Sequence, residues 1–253
     1  MKNRTQNLLN FKQMVMNHSS KDETRFLIFL DIETNGIGSF RPPTQTMTQI
    51  SWLKVKMDGT PVLSKDYIVK GATDIMSKLP NAQTIESIHE KGIDPKIVLQ
   101  EFFEDVGEND FIISHNIDFD IGILLKTLED KPPFNLYENA ICTMKLTTEF
   151  CKIPGNYGYK WPKLSELAQK LDICVDDKFF HDSLYDCQVL KQIFFELLNL
   201  EPNLVLGDCM GQTYNQNIAN FLKSYHIKKS CMDQSYHQNI ENESFHPQIV
   251  PIN

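Results

Sequence analysis

The sequence predicts an α/β fold, a mixed sheet of antiparallel and then parallel strands with helices against it. Three observations carry this expectation. Phe26 to Leu30 is a short, almost wholly apolar run, as expected of a strand buried on both faces of a sheet. Two more strand-like stretches follow it with no helix between, so the first three strands read as an antiparallel meander. Beyond them, short apolar runs alternate with segments of helical period.

In chain order, residues 1–24 are polar, and only Leu8 to Met16 is weakly amphipathic; a loose arm or short helix outside the core is expected. The first strand, Phe26 to Leu30, should deliver Asp31 and Glu33 at its end, with Asn35-Gly36 as the turn that stops it. Gly38 to Thr46, with Pro42-Pro43, reads as a loop. Gln49 to Lys56 and Lys65 to Lys70 are the next strands, joined through Asp58-Gly59. Ala82 to Glu90 and Asp94 to Val106 read as helices, the second with Pro95 in the first turn, where its missing N–H is harmless. Asp110 to Ser114 is a further apolar run, ending at His115-Asn116, and Ile117 to Leu128 follows as a helix with Asn116 its candidate N-cap. Asn139 to Met144 reads as a strand running into a short helix through Phe150. Cys151 to Lys163 combines glycines, prolines, aromatics and lysines and reads as a loop with no element of its own. Helices close the domain at Lys163 to Leu171 and Asp182 to Leu200. Residues 201–253, rich in Asn and Gln, are expected to form a small extension, poorly ordered from about Cys231.

The chain has 253 residues, 41% hydrophobic and 23% charged, which suffices for one substantial core and a small appendage. A net charge of -8 argues against a general polyanion-coating surface, and leaves room for a nucleic acid enzyme whose acids gather around metal ions. No uninterrupted apolar stretch is long enough to span a membrane, and the N-terminus lacks a signal-like apolar core. The expectation is an intracellular protein, cytoplasmic or at the nucleoid or nucleus, neither secreted nor membrane-bound. The six cysteines occur singly without zinc-site spacing, as in a reducing compartment.

Three clusters carry chemistry. Asp31 and Glu33 lie two apart on one strand, so their side chains point the same way. Paired carboxylates held together need a counter-ion, or their pKa values rise. His115-Asn116-Ile117-Asp118-Phe119-Asp120 spans a strand end and the first turn of a helix. His181 and Asp186 open the last long helix; residues five apart differ by about 140° around a helix, so His181 can share a site with Asp186 only from the approach to the helix. Carboxylates with a histidine suit hydrolysis assisted by Mg²⁺ or Mn²⁺, which prefer oxygen ligands, with a base near neutrality.

FLDIETNG, SHNIDFDIGIL and HDSLYDCQVL resemble the three motifs of the DnaQ-like 3'-5' exonucleases, in the subclass with four acids and a histidine (DEDDh). The group includes polymerase proofreading subunits, oligoribonuclease and ribonuclease T. The similarity runs from about Arg25 to Leu200, with smaller echoes in SIHEKGI, ICTMKL and WPKLSELAQKL. The related subclass has tyrosine where this chain has Asp182, and family members often have threonine in place of Asn35. The resemblance implies a ribonuclease H-like mixed sheet and a two-metal site for Mg²⁺ or Mn²⁺. Asp31, Glu33, Asp120 and Asp186 would be the ligands and His181 the general base. It implies a 3'-5' exonuclease releasing nucleoside 5'-monophosphates from single-stranded or frayed 3' ends, DNA slightly favoured over RNA. The alternatives are an RNA-trimming exoribonuclease and a non-catalytic nucleic-acid-binding module. A polymerase or repair assembly is a candidate partner. Backbone at Thr34, Asn35 and Gly36 would meet the terminal 3'-OH, and Ile32 or Phe119 would line a base pocket. His115 and Asn116 are further candidates for substrate or phosphate contact, His115 being equally readable as a satisfied core residue. Asp118 is read as a solvated acid at a helix start. In the 152–163 loop, Tyr157, Tyr159 and Lys160 are candidate substrate contacts, and Trp161 either joins them or packs under the next helix.

Overall fold

Phe26–Thr34 forms β1, the central strand of a five-stranded sheet in the computed structural model, which describes residues 25–36, 45–74, 84–128 and 130–200. β2 (Met47–Lys56) and β3 (Pro61–Ile68) run antiparallel on one side, and β4 (Phe111–Ser114) and β5 (Ala140–Cys142) run parallel on the other. The strand order is β3-β2-β1-β4-β5. The expectations for residues 1–24 and 201–253 and most of the loop at 38–46 lie outside the described residues.

The first strand does not stop at Leu30. β2 stays paired with it to its end, opposing Ser51 to Asp31 and Gln49 to Glu33, with a register shift after Glu33. β4 pairs only with Leu27, Ile28 and Phe29 before it turns into a helix after Ser114. The acids therefore lie within β1, where it keeps one neighbour and has lost the other. Such a divergence opens a crevice at the carboxyl end of a strand.

β3 starts earlier than composition suggests. Pro61 is tolerable as the first residue of an edge strand, where no ladder donor is needed. The preceding turn is closed by Gly59 N–H donating to the Lys56 carbonyl (2.9 Å) and Lys56 N–H to that of Thr60 (2.9 Å). Gly59 has φ +89°, and a Cβ there would stand 3.1 Å from the Phe195 ring, so glycine is required twice over.

The helices are α1 (Ile85–Lys91), α2 (Pro95–Asp105), α3 (Ile117–Thr127), α4 (Thr143–Cys151), α5 (Leu164–Lys170) and α6 (Ser183–Asn199). Thr84 and Ser87 cap α1 reciprocally, and the Asp94 carboxylate accepts from Lys96 N–H (2.8 Å) to cap α2. Alternation along β1 divides the core. Ile28, Leu30 and Ile32 join Ile50, Trp52, Phe102, Ile121 and Leu124 in the main cluster. Phe29, on the opposite face, meets Phe194 of α6 edge-on at 5.4 Å. Ile32 thus belongs to the core, at 3% exposure, and not to a pocket wall.

Two further expectations are corrected. Residues 151–163 include a small hairpin, β6 (Pro154–Gly155) against β7 (Gly158–Tyr159), with Asn156 and Tyr157 at its tip. Gly158 at φ +107° permits this tight reversal. Asp110 precedes β4 and pins the sheet from the turn: its carboxylate accepts from Phe26 N–H (3.0 Å) and Gly107 N–H (2.9 Å), with Lys54 Nζ 3.4 Å away. Asp110 is 4% exposed, so Asp110→Ala leaves two donors short of an acceptor. Asp110→Ala should lower the urea unfolding free energy by about 2–3 kcal/mol with the m value unchanged; an unaltered midpoint would show the pin to be dispensable.

Candidate active site

Odd-numbered residues of β1 face α6, so Asp31 and Glu33 extend the line of Phe29 toward the start of that helix. The helix is fixed there by contacts reaching into the sheet. Cys187 Sγ lies 3.3 Å from the carbonyls of both Phe29 and Ser51, and the Ser51 and Ser183 hydroxyls are 2.6 Å apart. Ser51 also donates to Asp66 (2.8 Å), which joins β3 to the same chain of hydroxyls. Asp182 is the N-cap, accepting from Tyr185 N–H at 3.1 Å. Asp186 then projects from the first turn toward β1 and is 7% exposed.

His181 occupies the approach to α6, after a short 3₁₀ turn at Asp177–Phe179. Its backbone is left-handed, φ +70°, and its N–H donates to Asp186 Oδ2 at 3.1 Å. Its side chain is 75% exposed, with Nδ1 3.8 Å from Glu33 Oε1. Glu33, His181 and Asp186 each offer a ligand atom within 4.8 Å of the others.

Asp120 reaches the same crevice from α3. With β4 gone, Ile32 N–H has no strand partner on that side and donates instead to Asp120 Oδ1 at 3.0 Å. Ser114, the last residue of β4, donates to Asp120 Oδ2. Ser114 was not singled out from sequence, although its place at the strand end just before the His115 motif was the available signal.

The electrostatics are one-sided. Burial, then Asp120, Asp186, Glu33 and Asp182, raise Asp31 well above the ordinary carboxylate range. Glu33 is pushed up to about 8 by burial and then by Asp186, Asp120 and Asp182. Burial also raises Asp120 and Asp186 to about 7, outweighing the hydrogen bonds they accept. Asp186 Oδ1 is buried with no hydrogen-bond partner. An orphaned carboxylate oxygen amid acids that resist ionisation is an arrangement that cations would relieve. Carboxylate oxygens suit Mg²⁺ or Mn²⁺, with the His181 imidazole beside them.

The other expected site residues are placed as follows. Thr34 is buried and donates to the Gly36 carbonyl (3.0 Å), while Gly36 has φ +136°. The Asn35 side chain is committed internally, accepting from Thr46 N–H (2.7 Å) and donating to the Asp74 carbonyl (3.1 Å). Both His115 nitrogens are used, Nδ1 with Thr143 Oγ1 (3.0 Å) and Nε2 with the Pro162 carbonyl (2.9 Å). Burial lowers its pKa to about 4, so the ring is neutral: Nε2–H donates to Pro162 and Nδ1 accepts from Thr143. Asn116 is the N-cap residue of α3 but makes no side-chain cap bond, and Phe119 packs partly buried on the main core. Asp118 pairs with Lys145 at the surface. Lys160 is engaged by Glu166, at 2.5 and 2.8 Å. Tyr157, Tyr159 and Trp161 are 103%, 43% and 57% exposed, so Trp161 does not pack beneath the helix that follows.

Among known proteins, a family model described as Exonuclease, RNase_T, matches residues 28–194. The chain is 22% identical over 202 residues to a DNA polymerase III PolC-type of Listeria monocytogenes, covering 77% of this chain and 13% of that protein. Its counterpart in Listeria innocua is 23% identical with the same coverage, so the chain spans about an eighth of the length of these relatives. Among solved structures it is similar to cell-death related nuclease 4 (TM-score 0.53, 14% identity, 69% of this chain and 64% of that one). It is also similar to S. pombe Pop2p in a Mg²⁺- and Mn²⁺-bound form (TM-score 0.51, 15% identity, 76% and 89%). Both share with it the ribonuclease H-like mixed sheet. No helix among the described residues is long and apolar enough to cross a membrane.

Carboxylates whose pKa values rise on folding hold protons that the unfolded chain has released, so metal-free stability should fall as pH climbs from about 4 toward 8. The thermal midpoint in EDTA should therefore drop between pH 5.5 and 8, and Mn²⁺ should raise it far more at pH 8 than at 5.5. Equal Mn²⁺ stabilisation at both values would contradict the burdened acid cluster.

Proposed function

The chain belongs to the RNase_T exonuclease family, and from that premise we propose that it is a metal-dependent 3'-5' exonuclease of the four-acids-plus-histidine subclass. It hydrolyses the terminal phosphodiester bond at nucleic acid 3' ends and releases nucleoside 5'-monophosphates. The observation that carries this reading is the convergence of four carboxylates, Asp120 and Asp186 buried and Asp31 and Glu33 half-buried, with Asp186 Oδ1 unpartnered and an exposed histidine beside it.

Glu33, Asp186 and Asp31 would hold one divalent cation, and Asp31 with Asp120 a second, both Mg²⁺ or Mn²⁺. When bound, such ions activate the attacking water and stabilise the departing oxygen. The protein's own contribution is alignment. Asp120 is held by Ser114 and the β1 backbone, and Asp186 by the His181 amide, so the ligands are fixed before ions arrive. His181, its Nδ1 3.8 Å from Glu33 Oε1 at the edge of the acids, would take the proton of the attacking water. Exposure lets the ring reach the water without disturbing the core. The backbone at Thr34 to Gly36, which follows Glu33 directly along the chain, is the surface proposed to meet the terminal 3'-OH.

DNA is favoured as substrate because the polymerase relatives are DNA polymerases by name. A proofreading or repair assembly is the corresponding partner. The complete acid set opposes a merely binding module, which would have no need to keep buried acids in mutual repulsion.

Digestion of matched 3'-labelled and 5'-labelled DNA and RNA oligonucleotides with Mn²⁺ tests the reading. Early release of label as mononucleotide from the 3' end alone, faster on DNA, is expected; release from the 5' end would refute the polarity, and faster RNA turnover would identify an RNA-trimming enzyme. Asp31→Asn should abolish turnover while raising the metal-free thermal midpoint at pH 8, because it removes a group whose ionisation is opposed by burial and by the neighbouring acids. His181→Asn, a residue that tolerates left-handed backbone, should lose about 10²–10⁴-fold in kcat at nearly unchanged stability. A His181→Asn variant retaining its kcat across pH 6 to 9 would exclude the base role.

A further inference from the structure

We propose that the β6–β7 hairpin is a preformed finger that stacks the bases of single-stranded nucleic acid, upstream of the 3' end held at the acids, and that His115 positions it. This rests on the nuclease reading above and extends it to a binding surface outside the three motifs.

The hairpin presents its aromatics in an arrangement that packing does not explain. Tyr157 stands fully exposed at the tip, with Tyr159 on the returning strand and Trp161 two residues beyond it both more than 40% exposed. Three large rings are exposed within five residues, on a chain that buries Trp52 completely, and among the described residues they do not join a core cluster. Stacking on bases gives them a use, since every base offers a flat face whatever the sequence. The charge agrees. Lys152, Lys160 and Lys163 flank the rings, and Ile153 to Lys163 contains no acid, although the whole chain carries a net charge of -8. Lys152 and Lys163 are exposed, while Lys160 is held by Glu166 and so braces the finger.

The finger is rigid at its base. Lys160 N–H donates to the Ile153 carbonyl (2.9 Å), and Glu166 Oε2 accepts from Lys163 N–H (2.8 Å) at the head of α5. It is also tied to the crevice. His115 Nε2 donates to the Pro162 carbonyl (2.9 Å), Nδ1 is held by Thr143, and the His115 carbonyl accepts from Met144 N–H (3.0 Å). His115 immediately follows Ser114, whose hydroxyl grips Asp120. One hydrogen bond therefore separates the root of the finger from the β4–α3 corner that carries an acid of the site. His115 is a positioning residue, with neither ring nitrogen left for substrate.

The probe is a single-stranded oligothymidylate of eight nucleotides, compared with an abasic strand of equal length. Binding is read in Asp31→Asn, which prevents turnover, by quenching of Trp161 emission, with Trp161→Phe giving the baseline from buried Trp52. The oligothymidylate should quench and the abasic strand should not. In the active protein, Tyr157→Ala/Tyr159→Ala should raise KM for the single strand about 10- to 100-fold with kcat little changed. His115→Ala should raise KM in the same sense at unchanged salt dependence, whereas Lys152→Ala/Lys163→Ala should flatten the salt dependence of KM. Equal binding of the abasic strand, or an unchanged KM in the double tyrosine variant while the parent degrades DNA, overturns the finger and leaves the nuclease reading standing. No mononucleotide release by the parent on any strand removes the nuclease reading, and the finger with it.

Discussion

The structure depends on one constraint: several carboxylates are held against a single strand, and among the described residues no lysine or arginine offsets them. Asp31, Glu33, Asp120 and Asp186 are each raised by burial before any neighbour is counted. A fold does not accumulate such repulsion for stability, and the surrounding architecture reads as the means of enforcing it. β2 keeps β1 extended as far as Thr34, which prevents the acids from turning out to solvent. Cys187, the Ser51–Ser183 contact and the Phe29–Phe194 edge hold α6 so that Asp186 cannot retreat. Asp120 takes the place of the strand that β4 has ceased to provide, satisfying Ile32 N–H while adding a charge to the crevice.

What the sequence made legible was local. The acids announce themselves because strand alternation puts Asp31 and Glu33 on one face, and the Asp182 cap puts His181 ahead of the helix that carries Asp186. What it concealed was decided by tertiary partners. Nothing in RFLIFLDIET says that the strand continues through its acids; the pairing with β2 decides it. Ile32 resembles a pocket residue until its face is found to be the packed one, and Asn35 resembles a turn residue until Thr46 and Asp74 claim its amide. The hairpin was hidden because strands of two residues have no periodicity to detect.

The site must also admit a polyanion. An acidic crevice on an acidic chain repels phosphate, so divalent cations bound there would do electrostatic work beyond chemistry, converting the crevice from repulsive to attractive. The hairpin lysines lie outside the crevice and would favour a strand there whether or not ions are bound. Under this reading, capture of the strand and gripping of its end are separate functions, assigned to the finger and to the acids.

The central claim is that folding leaves these acids partly protonated and awaiting ions. Calorimetric titration of the metal-free protein with Mn²⁺ at pH 7, repeated in buffers of different ionisation enthalpy, counts the protons released on binding. The account predicts binding of two ions with net release of at least one proton per molecule, both effects diminished in Asp186→Asn. Tight Mn²⁺ binding without proton release, or no binding, would contradict it.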